Sequence, residues 1–139
     1  MTMGIDTSVV LRLLTGEPES QAREALSWLQ EAKASGTNPV ISDLVASEVY
    51  FALQHHFGVS KAEALRHIIL FVSSGDVSPD GVLARVLSTK GLSTVKPGFV
   101  DRLIHEQYLH GGATGMVTFE RAARTLPGVR VLGASPSQR

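Results

Sequence analysis

Short apolar runs separated by stretches of helical periodicity constrain this chain more than any other feature. "MGI" at 3–5, "NPVIS" at 38–42, "DVS" at 76–78, "GMVTF" at 115–119 and "VRVL" at 129–132 each have the length of a short strand. Between them, apolar residues recur at spacings of three and four. The first helix, "TSVVLRLL", is closed near Gly16 and Pro18, and the second runs from Pro18 to about Ala34. A third is capped by Ser42 or Asp43 and ends at Gly58, while the capping-box spacing of "SKAE" at 60–63 opens a fourth that reaches Val72. "DGVLARVLSTKG" and "KPGFVDRLIHEQYLHGG" give two more, each stopped by glycine, and "ERAARTL" a short last one before the Pro127-Gly128 turn. Strands and helices alternating in this order imply the α/β class, with a mainly parallel sheet covered on both faces by right-handed crossovers. Ligands of such sheets are met at the carboxyl edge of the strands.

At 139 residues the chain fits one domain of this kind, expected over 1–132, and the small polar tail "GASPSQR" at 133–139 is expected to be disordered. With no cysteine, thiolate metal sites, disulfides and thiol nucleophiles are excluded. A formal net charge of zero means that any grip on nucleic acid must come from a local patch of Arg and Lys. "MTMGIDTSVV" lacks the basic and apolar regions of a secretory signal, and no apolar stretch is long enough to span a bilayer. The expectation is therefore a soluble cytoplasmic protein with no membrane partner.

Four acids belong near the same sheet edge in this reading. Asp6 follows the first strand, Asp101 lies in the first turn of its helix, and Glu120 comes just after the "MVT" strand. Glu48 is the odd one. In "ISDLVASEVYFAL" the residues Leu44, Val45, Val49, Ala52 and Leu53 form a stripe, and Glu48 stands inside it, three after Val45 and four before Ala52. A carboxylate directed to the interior needs a partner, and either a buried arginine or a metal would serve. Carboxylates brought together repel, so a cluster of four calls for a cation. Mg²⁺ or Mn²⁺ suits oxygen donors and brings the equipment of phosphodiester hydrolysis. Taken singly, the other acids have plainer roles: Asp6 as a helix cap, Asp101 against a helix dipole, Glu120 at the surface.

"GIDTSVVLRLL", "SDLVASEVYFAL", "FVDRLIHEQ" and "GMVTFERAARTLPGVRVL", in this order, resemble the signatures of the PIN-domain family, most nearly its VapC-type toxins. The resemblance runs over roughly the whole folded chain. It implies a three-layer α/β/α domain with a central, mainly parallel sheet of four to five strands. The activity it implies is a metal-dependent ribonuclease, usually dimeric and often held inactive by a cognate antitoxin. By position, Asp6 matches the family's first acid, Glu48 its helical glutamate and Asp101 the acid of a later helix; these three would hold the metal. Glu120 falls where relatives commonly show Asp or Asn, and Gly98 where many carry a further acid, so the likeness departs at two places. Thr7 and Ser8 would orient Asp6 or a water beside it, and Thr118 would do the same for Glu120.

Arg12, Arg102, Arg121 and Arg124 flank the segments that bear the acids and are candidate phosphate contacts. His105 and His110 in "HEQYLH" do not match a zinc-protease helix, because five residues turn the second side chain roughly 140° from the first. Trp28 and Tyr50 suit packing or a protein interface better than base stacking. The alternative to an enzyme is a catalytically weakened domain of the same fold that binds RNA or protein, which the Gly98 and Glu120 departures favour. A phospho-acceptor domain would need paired acids after the first strand and a late lysine, yet no lysine follows Lys96. A haloacid dehalogenase-type phosphatase would need a second aspartate where Ser8 stands.

Overall fold

The structure, a computed structural model, describes residues 1–133. All but the first residue of the expected 133–139 tail therefore lies outside the described residues. The chain divides into two compact units, residues 1–84 and 85 onward. Its order is β1 (Thr2–Gly4), α1 (Thr7–Thr15), α2 (Glu19–Ser35), β2 (Asn38–Ile41), α3 (Asp43–His55), α4 (Lys61–Ser73), β3 (Ser78–Pro79), α5 (Leu83–Leu87), α6 (Phe99–His110), β4 (Met116–Thr118), a 3-10 helix (Arg121–Thr125) and β5 (Val129–Val131). Every strand pairing is parallel, so the α/β class holds, and the strands are divided between a sheet of order β1-β2-β3 and a pair β4-β5. Among the described residues no helix is long and apolar enough to cross a membrane.

In the first unit, local chemistry sets the helix ends. Gly16 and Gly36 close α1 and α2 in the left-handed conformation. Ser42 caps α3 through Oγ, which accepts from the Val45 N–H at 3.2 Å, and Ser60 caps α4 by accepting from the Glu63 N–H at 3.2 Å. The core draws on Val10, Ile41, Ala46, Val49, Leu53, Ala64 and Ile68, with α3 packed on both α1 and α4. β1 was expected to be buried, yet all three of its residues are exposed in its edge position.

The second unit is built on a tight backbone crossing. β4 and β5 pair in the register Met116↔Val129, Val117↔Arg130 and Thr118↔Val131. The Met116 N–H donates to the Gly128 carbonyl at 3.1 Å, just ahead of the ladder. Gly128 has φ 71°, and a Cβ on Gly115 would overlap the Gly128 carbonyl, so both positions need glycine. The long helix expected over 80–91 shrinks to Leu83–Leu87, because "STKGLSTVKPG" favours turns over helix.

Candidate functional site

Asp6 is placed by the end of β1. The Ile5 N–H donates to the Val40 carbonyl at 3.0 Å, extending the β1–β2 contact, and the chain then turns into α1. Asp6 occupies the N-cap position with φ −86° and ψ 164°, but its side chain makes no capping hydrogen bond. Only its carbonyl caps, accepting from the Val9 and Val10 N–H groups at 3.1 and 3.2 Å. The plain capping role is thus carried by backbone, and the carboxylate stays available. It lines a cavity of about 570 Å³ together with Ser8, Arg12 and Trp28. The Thr7 hydroxyl is buried and has no hydrogen-bond partner among the described residues. Arg12, half-buried, donates from Nε to Gln21 Oε1 at 2.7 Å, which fixes the plane of its guanidinium.

Glu48 does not point inward. α3 buries Asp43, Ala46, Val49, Tyr50 and Leu53, while Glu48 is exposed and Leu44 is 69% exposed. The sequence carries two overlapping stripes that share Val49 and Leu53, and packing against α1 and α4 selects the one with Ala46 and Tyr50. The acid that does face inward is Asp43, 6% exposed, whose two carboxylate oxygens accept from the Val82 N–H at 3.2 and 3.0 Å. Gly81 passes so close that a Cβ there would overlap the Asp43 carboxylate. In the sequence Asp43 reads only as a possible cap, and the turn residues "DG" at 80–81 are the one sign that a backbone passes close by. Burial pushes the neighbouring Tyr50 hydroxyl above its ordinary value, opposed by a hydrogen bond with the Gln54 side chain.

In the second unit two predicted acids share one space. Asp101 on α6 and Glu120 after β4 both line a cavity of about 200 Å³, walled by Ile104, Tyr108, Met116 and Ala123. Asp101 lies in the first turn of α6, where a negative charge is favoured. Glu120 is held by its backbone: its N–H donates to Thr118 Oγ1 at 3.0 Å, and its carbonyl accepts from the Ala123 N–H at 3.2 Å. Thr118 therefore orients the peptide of Glu120 and leaves the carboxylate alone. Arg102 is tied by Nε to the Pro97 carbonyl at 2.7 Å, whereas Arg121 and Arg124 are exposed.

Several other acids of the chain sit in ion pairs. Glu19 pairs with Arg23, Glu63 with Arg66, Asp76 with Lys33 and Glu106 with Arg85. Among the described residues, no hydrogen bond or ion pair occupies the carboxylates of Asp6, Glu48, Asp101 or Glu120. The arginine partner expected as the rival to metal is thus not found for Glu48. No group of three or more His, Cys, Asp or Glu side chains that could hold a metal is formed among the described residues. A pair of carboxylates in one cavity suits Mg²⁺ or Mn²⁺, because Mg²⁺ takes one or two protein carboxylates and fills its shell with water and substrate phosphate.

A family model described as PIN domain matches residues 3–128, nearly the whole described chain and both of its units. The chain belongs to the PIN-domain family. PIN domains are generally nucleases, so an acid-lined cavity is the feature to expect in this one. Among solved structures, this PIN domain is similar to a chain of the crystal structure of VapBC2 from Rickettsia felis bound to a DNA fragment from their promoter. The two are 19% identical, the match covers 94% of this chain and 97% of that one, and the TM-score is 0.40. No match was found among curated proteins.

Proposed function

We propose that this PIN domain is an Mg²⁺- or Mn²⁺-dependent endoribonuclease, acting as the toxin of a toxin–antitoxin pair. The observation that carries the reading is the shared cavity of Asp101 and Glu120, two acids nineteen positions apart that no described cation neutralises. Asp101 would hold the ion, directly or through water, and Asp6 and Glu48 are the further ligands that the sequence likeness implies. When bound, the ion supplies charge neutralisation and polarises the phosphoryl oxygen. Glu120 would complete the site or position the attacking water, and Ser8, beside Asp6, would orient the hydration around it. Attack in line on phosphorus leaves a 5′-phosphate and a 3′-hydroxyl. Arg12, Arg102 and Arg121 contact phosphates, the first two from side chains already oriented by their Nε bonds. The exposure of Glu48 is compatible with this role, since a ligand acid must be reachable.

The toxin role rests on the sequence likeness to VapC-type proteins, as do the cognate antitoxin, the homodimer and the cytoplasmic setting. The test is cleavage of RNA in Mn²⁺ by wild type, Asp6→Asn and Asp101→Asn. Each variant should cut about 100-fold or more slowly, on the scale of losing groups that hold or support a metal. Equal rates for wild type and variants would end the catalytic proposal. RNA bound but not cut would leave the weakened binding module in its place.

A further inference from the structure

α6 is buried on two flanks. Phe99 and Leu103 form the apolar flank, and His105, only 1% exposed, forms the other. At 100° per residue His105 is turned roughly 160° from Leu103 but only about 40° from Asp101, one turn earlier. Its Nε2 lies 2.7 Å from the Pro127 carbonyl. A carbonyl only accepts, so Nε2 carries the hydrogen and donates it. The next residue, Gly128, offers its carbonyl to the Met116 N–H at 3.1 Å, at the start of the β4–β5 ladder. At the far end of β4, Thr118 holds the Glu120 N–H at 3.0 Å. One unbroken series of bonds thus leads from the helix that carries Asp101 to the peptide that carries Glu120.

We propose that His105 is a positioning residue: it ties α6 to the β4–β5 turn and so sets the gap between Asp101 and Glu120 across their cavity. The consequence for metal rests on the nuclease reading above. An imidazole suits the task because it is rigid, fills a buried site and ends in a donor that reaches across to another segment. Leucine fills similar space without the donor, and glutamine keeps an amide N–H near the position of Nε2. Pro127 is exposed, so water can replace the lost donor at its carbonyl and the leucine variant retains a route to folding.

The experiment compares wild type, His105→Leu and His105→Gln. Amide exchange at Met116 should quicken in the leucine variant and stay near wild type in the glutamine variant. Titration of Mn²⁺ alone should show affinity falling about tenfold in His105→Leu and largely restored in His105→Gln, the lower end of the effect of groups that support metal ligands. In the cleavage assay the Mn²⁺ concentration at half-maximal rate should rise by the same factor, while the rate at saturating Mn²⁺ changes less than about twofold. A folded His105→Leu with wild-type Met116 exchange overturns the tie, and one with wild-type Mn²⁺ affinity overturns its effect on the acid gap. Wild type that neither binds Mn²⁺ nor cleaves RNA overturns the nuclease reading instead, and Met116 exchange still decides the tie. If leucine shows no folded state, His105→Asn, whose shorter amide does not reach the Pro127 carbonyl, takes its place: quickened Met116 exchange with weakened Mn²⁺ binding supports the tie, and wild-type values overturn it.

Discussion

The two units use acids in opposite ways. In residues 1–84, α3 carries Asp43 and Glu48 little more than a turn apart, one buried against the Val82 N–H and the other exposed with no described partner. In the second unit, Asp101 and Glu120 come from different elements and meet in one cavity. The lesson is that a carboxylate's role follows from what the backbone offers it. Where a buried N–H is aimed at the acid, it becomes part of the scaffold; where nothing is, it remains open to a ligand.

The sharpest way to break the contrast is to remove the crossing on which the second cavity stands. Gly115→Ala drives a methyl into the Gly128 carbonyl, and the expected cost is about 3 kcal/mol or more, read by denaturant unfolding. Wild-type stability in that variant would mean that the two glycine backbones are not packed as described. Next in size is the response to metal. Mn²⁺ at a hundredfold excess over its Kd should add about 2.7 kcal/mol to stability, and Asp101→Asn should blunt the gain. A melting curve indifferent to millimolar Mn²⁺ would leave the cavity acids without a ligand.

The two acids of α3 give a finer test. Asp43→Ala strands the buried Val82 N–H and should cost about 1–3 kcal/mol. Glu48→Gln, at an exposed position, should stay within about 0.5 kcal/mol in stability while cleavage falls. The reverse ranking in thermal melts would overturn the division between scaffold and ligand acids. The smallest effect concerns alkali. Burial raises the Tyr50 pKa above the ordinary 10.0, so the folded chain holds this proton more tightly than the unfolded one. Its contribution is complete below that ordinary value and is lost as pH rises through the folded pKa, and Tyr50→Phe should flatten the decline. Identical alkaline melting profiles for the two proteins would show that Tyr50 does not govern it.

Much of the fold could be read from local signals. The serine caps at 42 and 60, the glycine stop after α1 and the order of strands and helices were all visible, because each depends on near neighbours in the chain. The inward face of α3 was not, since two stripes compete there and only contacts with α1 and α4 choose between them. His105 was missed for a related reason. It stands outside the apolar stripe of α6, and the carbonyl that buries it belongs to a residue twenty-two positions later. Asp6, Asp101 and Glu120 were legible as candidates from their places at strand and helix ends, and the cavity shared by the last two was the part only three dimensions could supply.

The link from β4 to β5 leaves the second unit little slack. Ten residues, 119–128, leave one strand, pass through a 3-10 helix and return in parallel to its neighbour, a shorter return than the usual dozen or more. Such a taut span accepts neither an inserted label nor a trimmed residue without dragging Glu120 along. Fluorophores and affinity tags therefore belong elsewhere, and length changes within this span offer a blunt tool for disarming the protein while sparing the first eighty-four residues.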